Sequence, residues 1–415
     1  MKSIILASLL STCMVASAYS QENSIEVIHH WVSDSEVAAL NVIQKDLAKK
    51  GVTWKDSAVG GASGANALQA LRARLVAGDP PGAMQFVGFE SITWAKEGVL
   101  RDFSADADAK GWAKELPKPL MPFVQINGKW VTTPVNMHRA NWIWGNAKAF
   151  RDAGVEPPKT WDELIADGDK FRKAGVIPLA VSDEGWQVAK IYEALVIDLY
   201  GPEFYKKAII DLDKGALTSP EMINVFKMLR KVRGLADDNF AGRDWAVATG
   251  MVISGKAAMQ FMGDWAKGEF LAKGMKPGTD FLCMETPAPK VSYLFLSDAF
   301  GAFTSKNEGT QKAQLTLAET AMDPKVQHDF NLIKGSIPSR LDVDISDFDD
   351  CAKKSFSDRD TAIADGTMYG SLSEGFATQS EFSSVFLDVV GKFFVTDMSA
   401  EDAVKTLADG IDNAR

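Results

Sequence analysis

Histidine and cysteine are the scarce residues of this 415-residue chain: four His and three Cys, with only 6 Tyr beside 11 Trp. So few soft ligands leave little to build a metal centre from. No HExxH and no His–carboxylate spacing typical of zinc is present. His29 and His30 are adjacent on an expected strand, where successive side chains point to opposite faces. Asp342-Val343-Asp344 opens like a calcium loop, but Asp347 stands at the sixth position where Gly is needed and Lys353 at the twelfth where Glu is needed. Ser63 is followed two residues later by Ala65, not Gly, so Gly61–Gly64 is no nucleophile elbow. It is no phosphate loop either, because no Gly-Lys-Ser/Thr follows. Metal and cofactor are therefore not expected.

Positive charge is also short. Lys and Arg number 45 against 55 Asp and Glu, a net charge of −10, which a nucleic-acid phosphate backbone would find repulsive. No apolar run reaches the roughly 20 residues of a membrane helix. The longest, Ile4 to Val15, follows Lys2 and precedes Ala16-Ser17-Ala18, the layout of an export signal with a cleavage site. Residues 1–18 are expected to be such a signal, and lipidation at Cys13 is not expected because Thr12 replaces the small residue of a lipoprotein box. Export to the periplasm leaves Cys283 and Cys351, as two buried thiols or as one disulfide. An even count in an oxidising compartment favours the bridge, which would close a loop of about 68 residues and contribute about 4 kcal/mol.

What is present is alternation. Ser24–Trp31 reads as a strand, Glu36–Lys50 as an amphipathic helix with Leu40, Ile43 and Leu47 on one face, and Thr53–Val59 as a second strand. Gly60–Gly64 reads as a turn opening a helix to about Gly78. Ala83–Val87 is a third strand, Trp94–Leu100 starts another helix, and Lys129–Val135 is a strand after the Asn127-Gly128 turn. This is the pattern of a doubly wound sheet. Thr160 and Glu163 form a capping box. Helices are expected over Gly185–Tyr200, 219–235, 310–322, 324–333 and 380–395. No repeat, low-complexity tract or Pro/Gly-rich linker is seen, so any domains are joined by several crossings.

Candidate binding residues cluster at element ends, where ligands of doubly wound sheets sit. Trp31 ends the first strand and Glu36 lies one turn on. Asp264 and Trp265 follow a buried run, Asp298 follows Tyr293–Leu296, and Lys334 ends a helix. Indole faces suit the C–H patch of a pyranose, and carboxylates and amines suit its hydroxyls. Each has a plainer role too: core packing for the Trp, helix-end charge for Glu36 and Lys334, capping for Asp264 and Asp298.

Ala147–Leu164 (AKAFRDAGVEPPKTWDEL) and Gly255–Trp265 (GKAAMQFMGDW) resemble the signature segments of family 1 extracellular solute-binding proteins. Trp31 with Glu36, Pro134–Arg139, Gly263–Trp265, Lys334–Pro338 and the Cys283/Cys351 pair are similar to that family's glucose-binding subgroup. The resemblance implies two α/β lobes, each a doubly wound sheet flanked by helices, closing on a saccharide and delivering it to an ABC permease. It implies a monomer that performs no chemistry. The lobes would comprise 19–135 with 298–338, and 136–297 with 339–415. Trp31 and Trp265 would be aromatic walls; Glu36, Asp264, Lys334 and Asp298 would be hydrogen-bonding groups. Against the subgroup pattern His30 replaces a Trp, Val87 a Lys and Glu374 a His, which changes the hydroxyl pattern read. An exported glycoside hydrolase remains an alternative, needing two carboxyls at about 5–5.5 Å or 6.5–9.5 Å. A peptide- or metal-binding module is another.

Overall fold

A computed structural model describes residues 23–61 and 64–415. The expected export signal and Cys13 lie outside the described residues, as do Ala62 and Ser63 of the glycine turn.

The first sheet has five strands in the order Thr53–Ala58, Ser24–His29, Ala83–Val87, Asp298–Ala302, Thr132–Pro134. The first three run parallel, Ser24 opposite Thr53 and Val27 opposite Ala83; along the chain helix Asp34–Lys49 leads from Ser24–His29 to Thr53–Ala58, and helix Ala65–Val76 from there to Ala83–Val87. Asp298–Ala302 is antiparallel to both its neighbours. The sheet is thus mixed, not purely doubly wound, because this strand enters straight from Tyr293–Leu296 with no crossover helix to reverse its direction. The second sheet runs Phe281–Glu285, Trp142–Asn146, Ala257–Phe261, Ile177–Leu179, and a third runs Met368–Gly370, Tyr293–Leu296, His138–Arg139. Helices cover the sheets, an α/β architecture.

The chain crosses between the first sheet and the others along neighbouring segments. Residues 134–138 lead from Thr132–Pro134 to His138–Arg139, and 296–298 lead back. Asn136 joins the two crossings, its Oδ1 accepting from Asp298 N–H at 2.8 Å and its carbonyl from Ser297 Oγ at 2.6 Å. A third segment follows helix Pro324–Lys334, and Ile337 and Met137 exchange backbone hydrogen bonds of 2.7 and 3.1 Å.

Helix Ala266–Ala272 follows a second-sheet strand yet packs on Asp34–Lys49 and Pro324–Lys334. Ser35 donates from N–H and Oγ to Glu269 Oε1 at 3.2 and 2.6 Å, both residues buried. Gly268 permits the approach: a Cβ there would lie 2.9 and 3.0 Å from the Lys334 and Ile333 carbonyl oxygens.

Several boundaries differ from expectation. The first strand stops at His29, two residues early. The helix near Trp94 spans Glu90–Lys96, starting earlier and ending before Gly98, whose φ of +72° is left-handed. Lys129–Val135 splits, Lys129–Trp130 pairing with Gln125–Ile126 and Thr132–Pro134 joining the main sheet. The Thr160/Glu163 capping box forms, and Gly201 at φ 82°, ψ 171° breaks the helix that begins at Gly185. Among the helices that the sequence reading did not name are Trp245–Ile253, Ala266–Ala272, Asp350–Ala364 and Ala400–Ala414. Cys283 and Cys351 form a disulfide, fastening helix Asp350–Ala364 to the strand Phe281–Glu285.

Candidate functional site

A cavity of about 300 Å³ opens where strand ends of the first sheet face the other half of the chain. His30, Trp31, Glu36, Trp265, Asp298, Lys334 and Glu374 all line it, as does Val87.

Trp31 is 1% exposed, its indole held edge-on to Phe300 (5.8 Å, 87°) and tilted against Phe330 (5.5 Å). Rings on its far side fix its plane, so what it offers the cavity is rigid. Glu36 closes a capping box with Ser33: its Oε2 accepts from the N–H groups of Val32 and Ser33 at 3.1 and 3.2 Å. Its Oε1 accepts from Lys334 Nζ at 3.1 Å. Burial pushes the Glu36 carboxyl up, but Lys334, His30 and the Ser33 N–H outweigh it and hold it below the usual range. Lys334 is the last residue of its helix, stopped by Gly335 at φ 91°, and its Nζ lies 5.9 Å from the Trp31 ring centre. Helix-end charge and cavity wall are therefore the same side chains here.

Asp298 begins a strand and caps no helix. Its Oδ1 accepts from Gln85 Nε2 at 2.7 Å, and its Oδ2 from Asn136 Nδ2 at 2.7 Å and His138 Nε2 at 3.1 Å. Burial opposes its charge, but the hydrogen bond and charge of His138 hold it well below the usual carboxylate range. His138 is raised in turn: burial works against its proton, and Asp264 and Asp298 override it. The buried His138 ring thus lies between two carboxylates at the crossings.

Asp264 does not line the cavity, contrary to expectation. Its Oδ1 pairs with His138 Nδ1 and its Oδ2 accepts from Arg139 N–H at 3.1 Å, so both oxygens face inward behind the wall. Trp265 does line it, standing edge-on to His138 at 5.2 Å and 90°. Glu374 forms an ion pair with Lys190, whose Nζ also donates to Ser373 Oγ at 3.1 Å. That ammonium lies 4.5 Å from the Trp265 ring centre and 5.3 Å from that of Trp186. His30 is held neutral by burial, the largest influence on it, and its N–H donates to Gln85 Oε1 at 3.1 Å. His29 turns to the opposite face and meets Asp56 at 2.9 Å.

Residues absent from the sequence reading complete the wall: Glu184 and Trp186 at the start of the long helix, Asp244 and Trp245 at the start of another, and His138. The element-end criterion that found Trp31 would have reached Trp186 and Trp245 had helix N-termini been counted with strand ends. The wall is thus aromatic with carboxylates and the Lys334 ammonium, itself paired with Glu36, an arrangement suited to stacking and hydroxyl binding.

Residues 33–291 match the family described as "Bacterial extracellular solute-binding protein". The chain belongs to this family. It binds a solute and is not an enzyme. A probable sugar-binding periplasmic protein of Brucella suis is 45% identical over 401 residues, covering 97% of this chain and 94% of the relative. Likeness to a glucose-binding protein is more distant: GlcS of Saccharolobus solfataricus is 26% identical over 228 residues, 52% of this chain and 41% of that one. Among solved structures, a chitin oligosaccharide binding protein superposes with a TM-score of 0.79 at 20% identity, covering 94% of this chain and 98% of that one.

Proposed function

We propose that this solute-binding protein captures a small saccharide in the periplasm, a glucose-like monosaccharide or a glycoside, and delivers it to an ABC import permease. One observation carries the reading. The wall joins Trp31, Glu36 and Lys334 from around the first sheet with Trp186, Asp244 and Glu374 from the other half of the chain. A ligand touching both faces gains most when the lobes are closed, so binding selects the closed form. The probable sugar-binding periplasmic relative supports the solute class.

In this reading residues 19–135 and 298–338 form one lobe, 136–297 and 339–415 the other, and the crossings stitched by Asn136 form the hinge. The sheet memberships support the division. The protein works as a monomer. His30, Val87 and Glu374 adjust which hydroxyls are read, because a site built on specific hydrogen bonds rejects ligands that leave them unpaired.

The test is a thermal-shift screen of monosaccharides, disaccharides and glycosides beside peptides. A ligand at 100 times its dissociation constant adds about 2.7 kcal/mol of stability. The best sugar raises the midpoint of the wild type, and Trp186→Ala and Trp31→Ala each abolish that rise while remaining folded by circular dichroism. A response to peptides with none to any sugar refutes the reading.

A further inference from the structure

The cavity described above does not end at its own wall. A second, larger one of about 910 Å³ adjoins it, and Val87, Glu184, Trp186 and Glu374 line both. The two volumes are therefore neighbouring compartments of one cleft, with the Trp186 indole on their boundary. The first sits at the bottom of the range of small-molecule sites, about 300–1,000 Å³, and the second near its top.

The walls of the second compartment come from both halves of the chain. Helix Ala65–Val76 presents Asn66, Gln69 and Arg72 at three-residue spacing, which places them on one face. Helix Ser380–Val395 presents Ser380, Ser384 and Asp388 at four-residue spacing from the other side. Between them the floor is backbone, Phe89 N–H donating to Gly375 O at 2.9 Å. A Cβ on Gly88 would lie 2.0 Å from that same oxygen, so the approach requires glycine. Phe89, Trp94 and Trp186 supply ring surface, and the amides and hydroxyls supply donors and acceptors. Glu184, Glu381 and Asp388 stand against Arg72, the one Lys or Arg among the described lining residues, while Glu374 is already paired with Lys190 and burial pushes the Glu90 carboxyl up to about 8. That balance repels an anionic guest.

We infer that the second compartment is a further saccharide subsite, so that the ligand has at least two sugar units and carries no acidic group. One unit occupies the compartment of Trp31 and Lys334, and the next passes Trp186 to lie between Gln69 and Ser384. This inference rests on the saccharide reading of the first cavity and specifies its substrate class.

Calorimetry on the intact protein separates the two. The probes are glucose, galactose, mannose and xylose; the neutral disaccharides maltose, cellobiose, lactose and trehalose; and methyl glucuronide. Ser384 is exposed on its helix, so Ser384→Trp fills the second compartment without disturbing a core, and Gln69→Ala trims the facing wall. The best disaccharide binds the wild type at least tenfold tighter than its component monosaccharides, and methyl glucuronide binds more weakly than any of them. Ser384→Trp costs the disaccharide tenfold or more and leaves the best monosaccharide within twofold; Gln69→Ala weakens the disaccharide alone. Equal affinity for one and two units, with Ser384→Trp altering neither, overturns the subsite and leaves the saccharide reading standing. No binding of any sugar overturns both.

Discussion

The pair Glu36–Lys334 gives the sharpest energetic test of the site. Lys334 is 2% exposed and Glu36 7%, so neither charge is relieved by water. In Glu36→Gln the amide oxygen keeps the Val32 and Ser33 N–H bonds, which turns the –NH₂ toward Lys334 Nζ. The ammonium then faces a donor at the place where an acceptor stood at 3.1 Å. A buried charge stripped of its partner costs about 3–5 kcal/mol. Lys334→Met leaves the carboxylate two of its three donors, and losing one hydrogen bond to a charged group costs about 1.5–3 kcal/mol. The double variant has neither stranded charge, so its cost falls short of the sum by about 2 kcal/mol or more. Urea unfolding of the four proteins without sugar, at pH 7 and 25 °C, closes the cycle. A double variant costing the sum of the singles to within about 0.5 kcal/mol refutes the reasoning. The pH dependence has a definite sign. Glu36 has a depressed folded pKa, so its contribution is complete above the unfolded carboxylate value, about 4.3, and is lost as pH falls through the folded one.

Three further outcomes are expected. Replacing Cys283 and Cys351 by Ser opens a loop spanning 68 positions, lowering stability by about 4 kcal/mol in the chain-entropy account; an unchanged urea midpoint under non-reducing conditions contradicts this. Burial pushes the Asp198 carboxyl up to about 7, so the folded state holds a proton that the unfolded chain releases near pH 4, and stability falls as pH rises between those values. Asp198→Asn removes that loss and is the more stable protein at pH 8, by up to about 4 kcal/mol; melting curves in which the gain is the same at pH 4 and pH 8 contradict it. Gly268→Ala drives a methyl against two backbone carbonyls and costs about 1–3 kcal/mol, read as a lowered urea midpoint; a midpoint equal to the wild type means that the helices yield.

Much of the site was legible because Trp31, Glu36, Trp265 and Lys334 lie where strands or helices stop, and the chain's punctuation marks those places. Gly335 after Lys334 and the Ser33/Glu36 box are local signals with local causes. Asp264 shows where such reading fails. A carboxylate at an element end faces either the cavity or a buried partner, and only the arrival of His138 from another crossing decides. Trp186, Asp244 and Gln85 were missed for a related reason, since their nearness to Trp31 depends on how two sheets approach. In the fold, the segments of Ser24–His29, Thr53–Ala58 and Ala83–Val87 were marked as strands between turns, but no strand was read over Asp298–Ala302, which completes the same sheet. The reversed direction of Asp298–Ala302 is not legible either, because a strand's own residues do not encode which neighbour it joins.

The close packing at Gly268 bears on how the cleft would shut. Ser35, Glu269 and the Lys334 carbonyl clasp helix Ala266–Ala272 to the half of the molecule that holds Glu36. Trp265, at the head of that helix, is thereby held against the lobe of Trp31 and Lys334 while it stays part of the lobe of Trp186 and Asp244, whose helix Trp245–Ile253 packs on the same helix. Opening the cleft would have to break both Ser35–Glu269 hydrogen bonds, so this latch would favour the shut form beside whatever the guest contributes. The ammonium of Lys190 against the Trp265 ring ties that ring to its own lobe.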